Sequence, residues 1–335
     1  MTEIVPIGER LRRIPFLLWG VLLVCAGIAA YLFGVVLVVP RYLLGLNRWL
    51  LPFDEWIVWY SGVPIMLGIL LGSIDLFVFF QSKRRIDAAP LKPIEHPVVT
   101  VALTAYNDEE SIEAAVRDFA AHPLVKTVIV VSNNSTDATF ARAEAAGAVT
   151  INETLPGYGR CVYRCLAEAL AHDDTELIVL CEGDRTFQAF DIDKLVAYAP
   201  HVDIVNGTRT VERLRQYTTQ LTTFIYYGNL FMGKLLEAKH LGKSTITDVG
   251  TTYKLCRRHA VERLLKAVDP SINLEFNAHL IDTALALGLT LVECPITFHP
   301  RVGRSKGGNV NNLRALKVGC RMFLGIVLGW DRLSR

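Results

Sequence analysis

The sequence lacks an excess of charge of either sign. Its 335 residues include 35 lysines and arginines against 33 aspartates and glutamates, so the formal net charge at pH 7 is only +2. A protein that holds nucleic acid through a general basic field needs a larger positive excess. We therefore expect no nucleic-acid partner for this chain.

The sequence also lacks paired cysteines. It has seven cysteines, an odd number, and none of them forms a Cys-x-x-Cys pair or a cysteine–histidine spacing typical of zinc ligands. A disulfide framework and a zinc-binding module are therefore not expected. The pattern predicts reduced thiols in a protein that faces the cytosol.

Long apolar runs, by contrast, are present, and they account for a mean hydropathy of +0.32 and a hydrophobic content of 51%. Residues 15–39 carry no charge, and residues 56–80 are interrupted only by Asp75. Each run is long enough to cross a hydrocarbon core of about 30 Å. A signal peptide fits the first run poorly, because the run is too long and no small-residue cleavage site follows it. The two runs predict a transmembrane helical hairpin.

The charges that flank the two runs predict the orientation of the hairpin. Basic residues precede the first run and follow the second, namely Arg10, Arg12, Arg13, Lys83, Arg84 and Arg85. Positive flanks stay in the cytoplasm. We therefore expect an integral membrane protein of a plasma, inner or ER-type membrane, with both termini and everything after about residue 82 in the cytosol and with residues 40–55 on the far side. Asp75 is expected to reach interfacial water or Arg84 and Arg85 and to take no part in chemistry.

The rest of the chain has an alternating pattern that predicts an α/β domain. A proline-rich linker, residues 87–97, is followed by continuous apolar strands that alternate with amphipathic helical segments. Such alternation indicates a mostly parallel sheet covered by helices on both faces. We divide the chain into a membrane hairpin with its linker (1–95), an α/β domain (96–311) and a C-terminal amphipathic helix (312–335).

Polar clusters follow three of the predicted strands. They read TAYNDEE, SNNSTD and CEGDRTF. Ligands of parallel sheets bind beyond the carboxyl ends of the strands. In the third cluster Glu182 and Asp184 flank Gly183, and two carboxylates at a strand end suit Mg²⁺ or Mn²⁺, which complete their coordination with substrate phosphate oxygens. The spacing alone is a weak signal, since acidic-x-acidic is common in turns.

Seven segments, in order along the chain, resemble the motifs of the family 2 glycosyltransferases of GT-A fold. They read TAYNDEESI, VVSNNSTDAT, LPGYGRCVYRCLAEA, CEGD, VNGTRT, DVGTTYKLCRR and VECPITFHPRVGRSKGG. Within that family they are most similar to the polyprenyl-phosphate glycosyltransferases, enzymes like the dolichol-phosphate mannose and glucose synthases. The resemblance covers residues 98–309 and implies a Rossmann-like GT-A domain.

The resemblance also implies a reaction and a set of residues. A sugar would move from a nucleotide-diphosphate sugar to a polyprenyl phosphate, with inversion and with Mg²⁺ or Mn²⁺ on Asp184 and Glu182. Residues implied for the nucleotide sugar are Tyr106, Asn107, Asp108, Glu109, Asn133, Asn134, Asp137, Gly159, Arg160, Glu182, Gly183 and Arg209. Residues implied for catalysis are Asp184, Asp248, Arg301, Arg304 and Lys306. Gly183 would let the backbone approach the sugar diphosphate closely.

The sequence departs from the family pattern at several points. Ser132 and Glu182 stand where the family has aspartates, and Arg160 stands where it often has lysine. Asn277 and His279 fall where related enzymes often carry acidic residues. These departures leave the base of the nucleotide open and put a catalytic carboxylate near residue 277 in doubt.

A lipid phosphate acceptor fits the remaining features. Such a phosphate is largely dianionic at pH 7 and needs cations, not a general base, and Arg301, Arg304 and Lys306 supply them. Residues 222–243 and 312–333 have apolar and aromatic side chains at helical spacing and are expected to lie in the membrane interface. Packing on the catalytic domain is the alternative for each helix.

Two alternative functions stay open at this point. A polysaccharide-forming or other lipid-acceptor transferase would resemble the same family, but the Q-x-x-R-W segment and the later spanning helices of the polymer-forming enzymes are missing from this sequence. An inactive membrane scaffold would explain Ser132, Glu182 and His279 but not the retained Asp184. The sequence leaves the oligomeric state open, and an oligomer is compatible with it.

Overall fold

The computed structural model describes residues 11–84, 91–95, 97–172, 175–216, 219–303 and 312–333. The chain divides into two compact units. The first comprises Met1–Ile86 and Glu237–Gly242, and the second comprises Asp87–Leu236 and Lys243–Arg335.

The first unit is a pair of long helices. Helix α1 is Phe16–Leu43, and a second helical run is built from α2 (Asn47–Tyr60), α3 (Gly62–Ser73), a π-helical turn (Ile74–Phe79) and α4 (Phe80–Lys83). Both predicted apolar runs are therefore helical, and the connector is much shorter than residues 40–55, because both helices extend beyond the apolar runs. Their length and apolar composition would allow each to cross a membrane. Their insertion and its direction stay predictions.

The two helices approach closely at glycines. A side-chain carbon at Gly20 would lie 2.6 Å from the backbone oxygen of Gly68, and one at Gly27 would lie 2.7 Å from the oxygen of Ser61. Real contacts do not reach such distances, so α1 requires glycine on this face. Small residues that let two backbones approach are a common basis of helix pairing in membranes.

Asp75 is fully buried and joins the ends of the hairpin. Its Oδ1 lies 2.5 Å from Nζ of Lys83, and its Oδ2 accepts a hydrogen bond of 2.8 Å from the backbone N–H of Leu17 in the first turn of α1. The expectation of water or Arg84 as its partner was wrong, and Arg85 lies outside the described residues. The π-helical turn absorbs about one residue, which brings Lys83 onto the face of Asp75.

The second unit contains a seven-stranded mixed sheet in the order β3-β2-β1-β4-β6-β5-β7. The strands are β1 (Val99–Ala105), β2 (Val125–Ser132), β3 (Val149–Asn152), β4 (Leu177–Glu182), β5 (Ile204–Thr208), β6 (Lys254–Arg257) and β7 (Leu291–Pro295). The predicted α/β fold is confirmed. The sheet is mixed because β6 runs antiparallel to both neighbours, β4 and β5, whereas the other pairs are parallel.

Helices surround this sheet. They are α5 (Ile112–Ala120), α6 (Thr139–Ala145), α7 (Tyr158–Leu170), α8 (Ile192–Tyr198), α9 (Thr223–Lys239), α10 (Arg258–Leu264), α11 (Phe276–Ala286) and α12 (Asn312–Leu328). The core on one face joins alternate residues of β1 to the apolar sides of α5 and α8. Helix α7 packs against β1, β2 and β4. Strands buried on both faces explain the continuous apolar runs of the sequence.

Candidate functional site

The three polar clusters meet at one edge of the sheet. Ala105 at the end of β1 pairs with Ser132 at the end of β2, and Thr104 pairs with Glu182 at the end of β4. The loops that follow these strands border a cavity of about 940 Å³. The cavity lies where ligands of parallel sheets bind.

Asp184 is the more tightly held of the two carboxylates. It is 1% exposed. Its Oδ1 accepts hydrogen bonds from the backbone N–H of Thr186 at 3.0 Å and from the hydroxyl of Thr186 at 2.5 Å. Its Oδ2 receives no directed hydrogen bond from the described residues and lies 3.1 Å from Nη1 of Arg301. This geometry fixes the carboxyl group and turns one oxygen to a charged partner.

Glu182 occupies a different environment from Asp184. Its Oε1 accepts a hydrogen bond of 2.7 Å from the hydroxyl of Thr252. Burial raises the pKa of Glu182 to about 7, and the charge of Asp184 adds to the rise. A bound cation would oppose both effects, since a positive charge favours the ionised carboxyl.

Gly183 packs tightly against the start of α5. It does not line the cavity. A side-chain carbon on it would lie 2.5 Å from Cδ1 of Ile112, and its backbone oxygen accepts a hydrogen bond of 2.9 Å from Ser111. This packing favours a glycine here, and the expected approach to a sugar diphosphate stays a prediction.

Arg301 joins two of the clusters. Its Nη2 lies 2.5 Å from Oδ1 of Asp108, and its Nη1 lies 3.1 Å from Oδ2 of Asp184. The guanidinium thus neutralises carboxylates from the loops after β1 and β4. Arg304 and Lys306, the other two basic residues of the predicted set, lie outside the described residues.

The residues expected at the nucleotide divide into two groups. Six of them line the cavity, namely Tyr106, Asp108, Asn133, Asn134, Glu182 and Arg209. The amide of Asn133 also joins two loops, because its nitrogen donates to the backbone oxygen of Leu155 at 2.8 Å and its oxygen accepts from Gly157 at 3.0 Å. These side chains both form the wall and hold its shape.

Three other expected residues, Asn107, Glu109 and Asp137, hold the loops and do not line the cavity. Asn107 accepts a hydrogen bond of 2.7 Å from the backbone N–H of Thr136. Glu109 accepts one of 3.2 Å from Ala138, and Asp137 accepts one of 3.3 Å from the backbone N–H of Glu109. These bonds tie the loop after β1 to the loop after β2.

At the start of α7, Gly159 and Arg160 do not line the main cavity, although Tyr158 and Cys161 do. A side-chain carbon on Gly159 would collide with the backbone oxygen of Ile272, so only glycine lets α7 lie against that segment. Arg160 does not line the main cavity and borders a separate hollow of about 370 Å³ that includes Glu153.

Arg209 and Asp248 form a buried pair. Nε and Nη2 of Arg209 each donate to a different oxygen of Asp248 at 2.7 Å, and the backbone N–H of Arg209 donates to Oδ2 at 3.0 Å. Burial alone would raise the pKa of Asp248, but Arg209 outweighs it and holds that pKa below its ordinary value. Arg209 lines the cavity and Asp248 does not. Among the described residues that line the cavity, Asp248 contacts Arg209 through both of its oxygens, and the role expected for Asp248 stays a prediction.

Four residues absent from the expected set connect to Glu182. Tyr158, Thr252, Asn277 and Lys254 form a chain of hydrogen bonds that ends on it. Lys254 is fully buried, and burial lowers its pKa to about 8. The contact of Lys254, the first residue of β6, with Asn277 joins segments 23 positions apart. The contacts of Tyr158 and Thr252 could not be read from spacing.

The same cavity continues from the strand ends to an apolar cleft. Its apolar walls come from α9 and α12, and they include Phe224, Ile225, Phe231, Met232, Leu316, Met322, Phe323 and Leu324. At the rim, Phe231 is 51% exposed and Leu316 is 50% exposed. Both segments predicted as amphipathic helices are helical, and their place in a membrane interface stays a prediction.

The carboxylates fit a hard divalent cation that substrate completes. Among the described residues no group of three or more histidine, cysteine, aspartate and glutamate side chains forms a metal cage. Mg²⁺ and Mn²⁺ typically take only one or two protein carboxylates at sites where phosphate oxygens fill the remaining positions. Glu182 and Asp184 match that donor set. They supply two carboxylates, and Oδ2 of Asp184 accepts no directed hydrogen bond from the described residues.

Comparisons with known proteins agree with this geometry. The family model described as "Glycosyltransferase like family 2" matches residues 96–303. An uncharacterized glycosyltransferase of Mycobacterium tuberculosis is 30% identical over 206 residues, which cover 61% of this chain and 87% of the relative. A dolichyl-phosphate hexose transferase of Haloferax volcanii is 24% identical over 209 residues, which cover 62% of this chain and 86% of the relative.

Solved structures share the fold. The crystal structure of glucosyl-3-phosphoglycerate synthase from Mycobacterium tuberculosis with Mn²⁺, UDP-glucose and phosphoglyceric acid superposes with a TM-score of 0.50. It is 20% identical, and the match covers 69% of this chain and 79% of that chain. At this identity the similarity supports the GT-A architecture of the second unit and leaves the acceptor open.

Proposed function

Since this chain belongs to the family 2 glycosyltransferases, we propose that it moves a sugar from a nucleotide-diphosphate sugar to a polyprenyl phosphate at the cytosolic face of a membrane. The main support for this proposal is that one continuous cavity has two chemically different ends. One end has carboxylates and arginines, which suit a diphosphate, and the other end is an apolar cleft between α9 and α12, which suits a lipid.

Two further observations support the lipid acceptor. The hexose transferase of Haloferax volcanii is named for dolichyl phosphate. The first unit supplies two helices of the length and composition that membranes require. An acceptor with a lipid tail would keep its phosphate at the headgroup level, and a membrane-anchored enzyme would keep its cavity there.

A divalent cation, Mg²⁺ or Mn²⁺, would be held by Asp184 and Glu182 and would supply positive charge to the departing diphosphate. Thr186 fixes Asp184 for this task. Arg209, held rigidly by Asp248, presents its guanidinium to the cavity and is placed to bind phosphate oxygens. Arg301, Arg304 and Lys306 are proposed for the acceptor phosphate or the donor diphosphate.

The proposed reaction is one displacement with inversion. A phosphate oxygen of the acceptor forms a bond to the anomeric carbon, and the bond from that carbon to the β-phosphate oxygen breaks, which releases the nucleoside diphosphate. The acceptor is largely dianionic at pH 7, so no side chain has to remove a proton. The absence of an acid at Asn277 agrees with that chemistry.

The test incubates membranes that contain the full chain with polyprenyl phosphate, Mn²⁺ or Mg²⁺ and a panel of radiolabelled nucleotide sugars. We expect label from one of them to enter an organic-extractable lipid, and EDTA to stop the transfer. If no sugar is transferred to lipid or released as free sugar, the scaffold alternative holds. Label in a polymer would instead favour the polysaccharide-forming alternative.

The cleft has room for added side-chain atoms at two glycines. A Cβ atom added at Gly228 on α9 or at Gly319 on α12 meets no atom within 4 Å, and both glycines line the cavity. We expect Gly228→Leu and Gly319→Leu to raise KM for a long polyprenyl phosphate about 10-fold or more, because leucine occupies space that the lipid needs. The measurement is initial transfer rate against lipid concentration.

The comparison that makes this prediction specific is a short, water-soluble prenyl phosphate, whose KM should change much less in the same variants. Donor affinity should also stay unchanged, because both glycines lie in the apolar part of the cavity. Equal losses for the short and the long acceptor would assign the cleft to something other than the lipid tail.

A further inference from the structure

A buried lysine lies at the far end of the chain of hydrogen bonds that reaches Glu182. Lys254 is 0% exposed, and its Nζ donates to Oδ1 of Asn277 at 3.2 Å and to the backbone oxygen of Thr251. Within the part of the chain that the structure describes, no carboxylate lies within ion-pair distance of it, and Asp248 and Glu182 act on its charge only from farther away. A buried ammonium without such a partner opposes folding. Its presence therefore calls for a reason other than stability.

The lysine fixes the orientation of Asn277. An ammonium group can only donate hydrogen bonds, so the amide oxygen of Asn277 must face Lys254. The amide nitrogen then faces the other way, and it donates to the hydroxyl oxygens of Tyr158 at 3.0 Å and of Thr252 at 3.3 Å. A charge thereby sets which way a neutral amide points.

The direction continues through two hydroxyl groups to the carboxylate. Thr252 donates its only proton to Oε1 of Glu182 at 2.7 Å. The 2.5 Å contact between Thr252 and Tyr158 must then have the Tyr158 hydroxyl as its donor. In every hydrogen bond between Lys254 and Glu182, the donor is therefore the group on the Lys254 side and the acceptor is the group on the Glu182 side. This leaves Oε2 of Glu182 without a donor among the described residues, while Glu182 lines the cavity.

We propose that Lys254 is a positioning residue: through Asn277, Tyr158 and Thr252 it orients the Glu182 carboxylate so that one oxygen is held by the protein and the other is turned to a divalent cation. The inference rests on the proposed function, in which Glu182 and Asp184 hold that cation. It also accounts for Asn277, because an amide can accept from the lysine and donate to the hydroxyls at once, whereas a carboxylate can only accept.

An acid at position 277 would act differently. In Asn277→Asp the carboxylate would accept from Lys254 and also from the hydroxyls of Thr252 and Tyr158. Thr252 would then turn its proton away from Glu182, although the side chain keeps its size. This variant turns the hydroxyl donors of Thr252 and Tyr158 toward position 277, while Lys254 still donates to that position.

The test measures Mn²⁺ affinity of the full-length protein in detergent by electron paramagnetic resonance, with UDP and with GDP in parallel. The nucleotide that gives tighter binding to the unaltered protein is used throughout. We expect Lys254→Met to weaken Mn²⁺ binding about 10- to 100-fold, the usual effect of altering a group that orients a metal ligand. Thr252→Val and Asn277→Asp should have effects of similar size.

Two further readouts separate positioning from a structural role. The thermal midpoint of Lys254→Met should equal or exceed that of the unaltered protein, because a buried charge is removed. In a Glu182→Gln background, Lys254→Met should weaken Mn²⁺ binding no further, since its effect passes through Glu182. Lys266→Met, the same change at an exposed position, should alter neither quantity.

The inference would be overturned if folded Lys254→Met bound Mn²⁺ as tightly as the unaltered protein. It would also be overturned if Lys254→Met weakened Mn²⁺ binding as much in the Glu182→Gln background as it does alone. If Lys254→Met does not fold, the stability argument is wrong, and Thr252→Val with unchanged Mn²⁺ affinity would overturn the rest. Failure of the unaltered protein to bind Mn²⁺ with either nucleotide would overturn the metal site itself, and the inference with it. That last result is distinct from the others because it appears before any substitution is made.

Discussion

Asp184→Asn is expected to lower sugar transfer about a thousandfold, the scale on which a preorganised electrostatic group contributes to catalysis. Asparagine keeps the size of the side chain and can still accept from Thr186. It replaces the charged Oδ2, however, with an amide group that faces the guanidinium of Arg301 as donor against donor. The measurement is the transfer rate with saturating lipid, together with donor affinity with and without Mn²⁺ by calorimetry.

A second aspartate provides the matched control for this prediction. The side chain of Asp193 on α8 is 74% exposed, and its carboxylate lies 3.4 Å from His122. Asp193→Asn makes the same chemical change outside the cavity and should leave transfer and donor affinity unaltered. Full turnover by Asp184→Asn, with the thermal midpoint preserved, would remove Asp184 from the proposed metal site.

Asp248→Asn is expected to reduce the free energy of unfolding by about 3–5 kcal/mol, the usual consequence of leaving a buried charge without its partner. Asp248 is fully buried and both of its oxygens accept from Arg209, so the guanidinium would lose its only opposite charge within ion-pair distance among the described residues. Thermal and denaturant unfolding of the purified protein, followed by circular dichroism, measures the loss. Transfer should fall as well, because Arg209 lines the cavity.

An exposed ion pair on α5 serves as the control that shows how much burial adds to the effect of Asp248→Asn on the free energy of unfolding. Glu113 and Arg117 are 2.7 Å apart with side chains 45% and 69% exposed. Glu113→Gln should therefore change the free energy of unfolding by less than about 0.5 kcal/mol. If Asp248→Asn lowers the free energy of unfolding no more than this control does, then Asp248 does not hold Arg209. The proposal that Arg209 presents a rigid guanidinium to the cavity would then be wrong.

Much of the fold could be predicted from sequence because local signals agreed with tertiary structure. The continuous apolar runs that became β1, β2 and β4 identified a parallel sheet, and the polar residues after them marked the edge where the cavity lies. The two apolar runs near the N-terminus are helical as expected. In each case the determining contacts lie within one element or between strand ends that topology brings together.

The features that the sequence did not reveal depend on contacts between distant segments. The partner of Asp75 was missed because a π-helical turn shifts the register of Lys83. The glycine at 183 packs against Ile112, 71 positions earlier, a contact that spacing does not show. Asp248 was expected in contact with substrate, yet its oxygens are both used by Arg209. Spacing shows which residues are present but not which of them face the cavity.

The buried chain from Lys254 to Glu182 shows the same limit. Its members come from α7, β4, β6, α11 and the segment before β6, and no pattern along the sequence links them. The family resemblance identified Glu182 and Asn277 as departures from the usual residues. The structure joins those two departures through the hydroxyl of Thr252.

The central claim is that one cavity serves both a nucleotide sugar and a lipid phosphate. It is tested most directly by comparing kcat/KM for three acceptors with the same donor: polyprenyl phosphate, unphosphorylated polyprenol and 3-phosphoglycerate. The account predicts that polyprenyl phosphate is used about 100-fold better than either of the others, because it alone fits both the cationic end and the apolar cleft. A preference for 3-phosphoglycerate, or equal use of polyprenol, would contradict it.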